Sequence, residues 1–342
     1  MRAMVLKSIA SLRDNPRPLT LMEIPDPQPS SDEILIRVNT CGVCHTELDE
    51  IEGRTPPPHL PVILGHQVVG RVEALGRDVE EFEAGDRIGV AWIFSACGKC
   101  IYCQRGEENL CPQFQATGRD AYGGYAEFMV VPVAFAHPIP DVFTDAEAAP
   151  LLCAGAVGYR SLRLTGLKDG QNLGFIGFGA SAHLVLQLAR HCFSHSKCFV
   201  FARNDEERAF ARELGAAWTG DTAEAPPEKL HAIIDTTPVW TPIIEALKNL
   251  EPGGRLVINA IRKEEDDKEA LLRLHYPEHL WLEKEIKSVA NVTRLDVREF
   301  LHLAAEAGIK PEVEEYALED ANRALVELRE KHVRGAKVLR MG

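Results

Sequence analysis

Two patterns of hydrophobic positions divide the sequence into parts of different character. In the first 150 residues short apolar runs alternate with turns, as at Ile34, Ile36 and Val38, which recur at every second position. Similar runs follow at residues 62–75 and 86–92. A period of two is typical of strands that are buried on one face. We therefore predict a β-rich domain for the first part of the chain.

From about Leu151 the pattern changes to strands and helices in alternation. The predicted elements are strands at 173–176, 197–202, 231–235 and 255–260, and helices at 180–190, 206–214 and 241–250. Short connections between such elements build βαβ units and a parallel, doubly wound sheet. The fold class predicted for the whole chain is therefore α/β, with a β-rich domain beside a doubly wound one.

The C-terminal tail continues with a strand at 286–290, a helix near 296–307 and a last strand at 336–340. It contains no glycine-rich fingerprint of its own, so we assign it to the first domain. The predicted domains are residues 1–150 with 290–342, and residues 151–289.

Composition agrees with this two-domain interpretation, because 342 residues exceed what one hydrophobic core usually supports. The start of the chain is too mixed for a signal peptide, and no apolar run is long enough to cross a bilayer, so we expect a cytoplasmic, unanchored protein.

The 38 basic residues against 51 acidic ones give a net charge of −13. That charge would repel nucleic acid and anionic membranes. The run of six charged residues at 263–268 predicts a solvated loop without function.

Four of the nine cysteines form a cluster with the spacing C-x2-C-x2-C-x7-C. This spacing lets four thiolates converge on one ion, and we predict a zinc site in a lobe at 95–112. An iron–sulfur cluster is the alternative, although ferredoxin runs end in C-x3-C-P. Four cysteines leave no open coordination position, so the predicted role is structural. The cluster consists of Cys97, Cys100, Cys103 and Cys111.

A second set of metal-ligand residue types is dispersed along the chain. Cys44 and His45 lie in CGVCHTEL, His66 in GHQVVG and Cys153 in PLLCAG. Spacing alone leaves two interpretations open, a shared metal ion or separate core residues.

A glycine motif of the form G-x-G-x-x-A follows the predicted strand at 173–176 and opens the next helix. Glycines there allow a pyrophosphate to approach the backbone at a helix N-terminus, whereas the alternative is a plain tight turn. The predicted cofactor-binding residues of the motif are Gly177, Gly179, Ala180 and Ala182. The next residue of the helix, His183, is expected to face solvent or to pack.

The end of the next strand bears on the choice of cofactor. NAD enzymes place an acidic residue there to bind the ribose 2′-hydroxyl, but this chain has Ala202 followed by Arg203. An acid that would exclude a phosphate is absent, and a guanidinium that could hold one is present. We therefore predict that NADP(H) is preferred, with NAD(H) as the alternative, and that Arg203 contacts the cofactor.

In these motifs and their order the sequence resembles the zinc-containing alcohol dehydrogenases of the medium-chain dehydrogenase/reductase family. The family's GVCHTDLH appears as Gly42–Asp49 and its GHE as Gly65-His66-Gln67; Gly123–Glu127 and Leu152–Gly155 also match. The resemblance covers nearly the whole chain. It implies a GroES-like catalytic domain joined to a Rossmann domain, with the active site in the cleft between them.

The resemblance also implies roles for single residues. Cys44, His66 and Cys153 would hold a catalytic zinc, on which the alcohol becomes an alkoxide before its hydride passes to the nicotinamide. Thr46 would receive the alcohol proton, and His45 would contact the cofactor. For Thr46 a helix N-cap is the alternative. With the lobe, two zinc ions per chain are expected.

Three positions depart from the family pattern. Glu47 replaces an Asp that hydrogen-bonds the zinc histidine, and Gln67 replaces a Glu beside that histidine. Asp49 stands where many relatives have a histidine that ends the proton relay. Since a carboxyl group titrates far below neutrality, we expect the relay here to pass directly to water.

These observations predict a zinc-dependent alcohol dehydrogenase that interconverts a small-molecule alcohol and its aldehyde with NADP(H). One alternative is a polyol dehydrogenase, although that branch commonly has Glu in place of Cys153. The other is a zinc- and nucleotide-binding protein with little turnover. The resemblance implies a homodimer or homotetramer.

Overall fold

The structure, a computed structural model, describes residues 1–330 and 335–342. The strands are β1 (Arg2–Leu6), β2 (Leu19–Glu23), β3 (Glu33–Val43), β4 (Val62–Ile63), β5 (Val68–Leu75), β6 (Arg87–Val90), β7 (Ile93–Ser95), β8 (Gln115–Ala116), β9 (Phe128–Pro132), β10 (Ala136–Pro138), β11 (Leu173–Ile176), β12 (Cys198–Phe201), β13 (Trp218–Gly220), β14 (Leu230–Asp235), β15 (Leu250–Ile258), β16 (Glu285–Ser288), β17 (Val313–Ala317) and β18 (Ala336–Arg340). The helices are α1 (His45–Ile51), α2 (Ile101–Gln104), α3 (Asp145–Pro150), α4 (Ala156–Thr165), α5 (Ala180–Cys192), α6 (Asp205–Glu213), α7 (Thr241–Leu247), α8 (Tyr276–His279), α9 (Arg294–Glu306) and α10 (Ala321–Glu330).

The chain forms two compact units. The first consists of Met1–Ala156, Asn291–Ala305 and Lys310–Gly342, and the second of Val157–Ala290 with Glu306–Ile309. That the first unit performs catalysis and the second binds the cofactor stays a prediction.

The first unit is built from mostly antiparallel sheets. Strands β2, β1 and β4 form one sheet, and a larger one has the order β10-β6-β5-β3-β18-β17, with β9 also paired to β3. The long strand β3 has the expected alternation only in part, since Ile34, Ile36 and Val38 are buried and Arg37 is exposed, but Leu35 is buried as well. The last strand, β18, pairs antiparallel with β3 and belongs to this unit.

The second unit has a six-stranded sheet with the order β13-β12-β11-β14-β15-β16. All five neighbouring pairs are parallel. Its central strands β11 and β12 are buried at every position, as expected for strands covered on both faces. The prediction of a doubly wound parallel sheet is confirmed.

Some predicted elements were wrong in extent or character. The helix expected to reach residue 250 ends at Leu247, and the strand expected from residue 255 begins at Leu250. Strand β17 and helix α10 were not predicted. The run at 263–268 is not a freely solvated loop, because the Lys263 side chain is buried and paired with Asp235. Among the described residues, no helix combines the length and the apolar character that a bilayer crossing requires.

Candidate active site

The first element of the candidate site is the junction between β3 and α1. Cys44 is the N-cap of α1, and its extended backbone (φ −131°, ψ 164°) turns the chain from strand to helix. Its amide donates a hydrogen bond to Glu47 Oε2 at 2.8 Å. The alternative interpretation of Thr46 as the N-cap is wrong, because Cys44 occupies that position. Thr46 lies instead in the first turn, with its hydroxyl 3.7 Å from Cys44 Sγ.

The same carboxylate also orients the candidate zinc histidine. Glu47 Oε1 lies 2.5 Å from His66 Nδ1, and both side chains are fully buried. The preceding residue must be glycine, because Gly65 has φ +97° and an added Cβ would lie 2.4 Å from the Tyr125 ring. Glu47 therefore makes the contact expected of the family's shorter Asp, and it leaves His66 Nε2 as the ring nitrogen that faces the other candidate ligands.

Cys153 completes the cluster from a third part of the chain. Helix α3 ends at Pro150, and the next residues form a single π turn, Leu151–Gly155, that carries the cysteine. Phe300 packs against Gly155 so closely that a Cβ there would lie 2.0 Å from its ring. In this turn Cys153 Sγ lies 3.1 Å from His66 Nε2. The donor atoms of Cys44, His66 and Cys153 all lie within 4.8 Å of one another.

The electrostatics of this cluster favour the metal-binding thiolate at Cys44 but oppose the metal-binding forms of Cys153 and His66, which are a thiolate and a neutral imidazole. A hydrogen bond between the two thiols lowers the pKa of Cys44 well below its ordinary value and raises that of Cys153. Burial opposes a charged imidazole, but the Glu47 carboxylate raises the pKa of His66 nonetheless. A lowered thiol pKa favours the thiolate, which is the form that binds metals. Two sulfurs and one imidazole nitrogen are a ligand set that zinc accepts, with one position left for substrate.

The remaining family positions are His45 and Asp49 in α1 and Gln67 after His66. His45 is exposed. Asp49 is buried, and its carboxylate accepts a hydrogen bond from Arg54 Nε. Gln67 is buried against Gly42, where an added Cβ would meet its side-chain oxygen at 2.6 Å. The charge of Asp49 is thus neutralised by an arginine, which fits the expectation that the relay does not end there.

A buried carboxyl group at Glu50 was missed from the sequence. Its side chain is 1% exposed, and neither oxygen has a hydrogen-bond partner among the residues that the structure describes. Burial raises its pKa well above the ordinary value, and the charge of Glu47 adds to this. Glu50 lies three positions after Glu47, so helical periodicity places both side chains on one face of α1. This spacing is the only signal in the sequence that could have indicated the burial of Glu50.

The lobe cysteines also converge. Sγ of Cys103 lies 3.6 Å from that of Cys100 and 3.9 Å from that of Cys97. A tetrahedral site with Zn–S bonds of about 2.3 Å has edges of about 3.8 Å, so the spacing fits zinc. Backbone amides point at the sulfurs, with Cys100 N 3.3 Å from Cys97 Sγ and Gln113 N 3.3 Å from Cys111 Sγ. Such amides lower the pKa of Cys97 to about 6.

The glycine motif lies between β11 and α5, as predicted. Gly177 has φ +76°, and an added Cβ would lie 2.8 Å from Thr236 Oγ1. Gly179 is the N-cap of α5, and the space beside it is open. Ala180, the first residue of the helix, is exposed, whereas Ala182 and His183 are buried. The His183 ring packs against Phe210, so it does not face solvent.

Arg203 follows the carboxyl end of β12, where Ala202 is buried. Its side chain is exposed and has no hydrogen bond or ion pair within the described part of the chain. Arg208 was not predicted from the sequence; its guanidinium donates to the Ala202 carbonyl at 2.7 Å and pairs with Asp205 at 2.6 Å. One arginine therefore stabilises the strand end, and the other leaves its guanidinium available to a ligand.

The fold and the site together define a two-unit protein with a parallel nucleotide-binding-type sheet and two candidate zinc sites. The family model "Alcohol dehydrogenase GroES-like domain" matches residues 30–141. The chain is 45% identical, over 92% of its length and 90% of the relative, to the probable alcohol dehydrogenase AdhA of Mycobacterium tuberculosis. It is 33% identical to an alcohol dehydrogenase of Geobacillus stearothermophilus, over 95% and 97%.

Solved structures agree with these relatives. A cinnamyl alcohol dehydrogenase of Sorghum bicolor superposes with a TM-score of 0.84 at 26% identity, covering 99% of this chain and 97% of that one. A cobalt- and zinc-bound alcohol dehydrogenase of Pyrobaculum aerophilum shares the fold, with a TM-score of 0.86 at 23% identity, over 100% and 99%. The chain belongs to the zinc-containing alcohol dehydrogenases of the medium-chain dehydrogenase/reductase family. The predicted family and the fold class, GroES-like plus Rossmann, are confirmed.

Proposed function

We propose that this alcohol dehydrogenase interconverts primary or simple secondary alcohols with their carbonyl products, prefers NADP(H), and holds two zinc ions per chain. The observation that carries the catalytic part is the convergence of Cys44, His66 and Cys153 around one point. The first relatives named above are alcohol dehydrogenases, and the sorghum neighbour is a cinnamyl alcohol dehydrogenase. This supports an alcohol or aldehyde as substrate.

In the proposed mechanism Cys44, His66 and Cys153 hold the catalytic ion, which would lower the pKa of the substrate hydroxyl as a Lewis acid. Glu47 holds His66 so that Nε2 faces the two sulfurs. The Thr46 hydroxyl, 3.7 Å from Cys44 Sγ, accepts the substrate proton and passes its own proton to water. Asp49 takes no part, since Arg54 pairs with its carboxylate. The nicotinamide ring supplies the hydride acceptor.

In the same proposal Gly177, Gly179 and Ala180 would face the pyrophosphate, with Ala182 packed behind them. His45 would contact the cofactor, and Arg203 would pair with the 2′-phosphate. The open space at Gly179 and the helix N-terminus behind it support an anionic ligand. The buried Ala202 has no carboxylate to repel the phosphate. A charge-assisted hydrogen bond from Arg203 contributes about 1.5–3 kcal/mol, or on the order of 10- to 150-fold in specificity.

The test is a screen of alcohols and aldehydes against NADP(H) and NAD(H) with zinc-loaded protein at one ionic strength. Arg203→Ala should lower kcat/KM for NADP(H) more than for NAD(H), and Ala202→Asp should reverse the preference. Arg273→Ala, a change at an exposed arginine that pairs with Glu245, serves as the control.

A wild type that prefers NAD(H), or equal losses of kcat/KM with both cofactors in Arg203→Ala, would refute the phosphate assignment. Turnover restricted to polyols would favour a polyol dehydrogenase. Weak turnover on every substrate despite full zinc loading would favour a binding protein.

For the assembly we propose a homodimer or homotetramer. Strand β16 is at the edge of the parallel sheet, and all four of its residues are exposed. Trp281 and Leu282, just before it, are about half exposed. Unpaired edge strands with apolar neighbours favour pairing with another chain. Light scattering of the purified protein decides between a monomer and a closed oligomer.

A further inference from the structure

A buried ion pair joins two loops at the carboxyl end of the parallel sheet. Asp235 ends β14, and Lys263 lies in the loop after β15; their side chains are 0% and 8% exposed. Lys263 Nζ donates to the Asp235 carboxylate, to the Thr237 carbonyl at 2.7 Å and to the Val239 carbonyl at 3.0 Å. An ammonium group has three hydrogens, so every donor of Lys263 is used inside the protein.

Other hydrogen bonds hold the same two loops, residues 236–240 and 259–267, which we call the paired loops. The Glu264 amide donates to the Pro238 carbonyl at 2.6 Å. The Asp267 carboxylate accepts from the amides of Trp240 and Thr241 at 2.9 and 2.7 Å. These bonds include backbone on both sides, so the paired loops form one preassembled structure with Lys263 at its centre.

The paired loops lie at the point where the strand order reverses. From β11 the sheet continues to β12 and β13 on one side and to β14 on the other. Asp235 is level with Ile176, and an added Cβ on Gly177 would lie 2.8 Å from Thr236 Oγ1. In doubly wound sheets a dinucleotide binds across this reversal, with one mononucleotide on each half. The half with β12 carries Arg203, so the half with β14 and β15 faces the other mononucleotide.

The paired loops are also joined to the glycine motif itself. The Asn259 side-chain amide, directly after β15, donates to Ser181 Oγ at 3.1 Å. Burial raises the pKa of Asp235, and the Lys263 ammonium opposes this shift. Without that ammonium the carboxylate would be buried and uncompensated, and the loop carbonyls of Thr237 and Val239 would lose their shared donor.

We propose that Lys263 is a positioning residue, which locks the paired loops into the surface that receives the nicotinamide mononucleotide half of the cofactor. The inference rests on the proposed function as a nicotinamide-dependent dehydrogenase. Lys263 does not bind phosphate, because its charge is neutralised and its donors are used. It acts by preorganisation: the loops are ordered before the cofactor arrives, so binding does not have to order them.

The experiment compares a whole dinucleotide with its adenosine fragment. Affinities of wild type and Lys263→Met are measured by fluorescence titration with NADPH and by calorimetry with adenosine 2′,5′-bisphosphate. If the wild type prefers NADH, the probes are NADH and AMP. Lys263→Met should raise the dissociation constant of the dinucleotide at least tenfold and that of the fragment less than twofold. Lys263→Arg, which keeps the charge, should recover part of the loss. Lys268→Met is the control, because Lys268 belongs to the same charged run but pairs with exposed Glu265.

A general loss of structure would weaken the binding of fragment and dinucleotide equally, and that result would overturn the proposal. An unchanged dinucleotide affinity in Lys263→Met would overturn it too. If Lys263→Met does not fold, Asp235→Asn answers the same question, since the amide keeps the volume of the side chain and an acceptor for Thr237. If the wild type binds neither dinucleotide nor fragment, both the proposed function and this inference are wrong. If the wild type is functional but Lys263→Met changes its affinities for dinucleotide and fragment equally, only the inference is wrong.

Discussion

The two candidate zinc sites reach a similar convergence of donors by opposite routes. The four lobe cysteines lie in one short segment, 97–111, and three of them are only half-buried. The catalytic candidates come from the β3–α1 junction, the residue after Gly65 and a π turn, and His66 is fully buried. A closed site can replace a hydrophobic core, whereas an open site that performs chemistry needs a core to hold it.

The groups that stabilise charge differ in the same way. In the lobe, backbone amides point at Cys97 and Cys111. In the dispersed site the Thr46 backbone lowers the pKa of Cys44, but the group behind His66 is a side chain, the Glu47 carboxylate. Backbone amides come with local chain geometry, but a buried carboxylate depends on tertiary structure. The sites should therefore respond differently to substitution.

The largest expected effect is on turnover. Cys44→Ser replaces a thiolate by a poor zinc ligand, and kcat/KM should fall on the order of 10³-fold or more, since Lewis-acid stabilisation contributes several kcal/mol. The melting temperature should change little. Steady-state kinetics, zinc analysis and thermal unfolding check this, with the exposed Cys192→Ser as control. Retained turnover would remove Cys44 from the catalytic set.

The matched change in the lobe should affect stability first. Cys103→Ser should lower Tm by about 10 °C, because a loss of a few kcal/mol shifts a unit of this size by about 2–4 °C per kcal/mol. Zinc should drop from two ions per chain to one. Complete loss of activity at an unchanged Tm would mean that the structural and catalytic assignments are reversed.

A smaller effect tests the carboxylate behind His66. Glu47→Gln keeps the shape but removes the charge, and should reduce activity or metal affinity about 10- to 100-fold, as for other outer-shell partners of zinc ligands. Glu50→Gln is the matched control, since its carboxyl group is buried on the same helix without a hydrogen bond to any described residue. Equal effects of both changes would mean that burial of a carboxyl group matters, and orientation of His66 does not.

The change with the smallest expected effect at neutral pH separates the acid sensitivity of the fold from that of the metal sites. His137 is buried, neither ring nitrogen has a partner among the described residues, and burial lowers its pKa to about 3. The unfolded chain binds this proton near pH 6.5, so stability is lost as pH falls from 6.5 towards 3, by up to about 1.4 kcal/mol per pH unit. His137→Leu should flatten that limb in denaturant titrations from pH 7 to 4, and the exposed His59→Leu should not. Parallel curves for wild type and His137→Leu would contradict the assignment.

The two candidate zinc sites differ in how far their ligands could be predicted from the sequence. The lobe was predicted from spacing alone, because its ligands are local. The ligands Cys44, His66 and Cys153 are far apart in sequence, so only the family resemblance grouped them. Strand β18 was predicted at its observed limits.

Other features depend on tertiary structure and left no local signal. Lys263 was taken for a solvated residue because it lies in a charged run, but its partner Asp235 is a distant strand end. The start of β15 was predicted too late because Gly253 and Gly254 resemble a turn, although pairing with β14 begins at Leu250. Charge runs and glycines describe local preference, and distant partners override it.

The carboxylate of Glu47 has a consequence for assembly of the enzyme. One of its oxygens accepts a hydrogen bond from the amide of Cys44, the N-cap of α1, and the other fixes the His66 ring. Formation of that helical turn and binding of the ion are therefore linked equilibria. Formation of the turn raises the binding constant of the ion, and the bound ion raises the equilibrium constant for formation of the turn by the same factor. Hydrogen exchange of the α1 amides should slow when the metal is loaded, so that a backbone signal reports occupancy of a side-chain site.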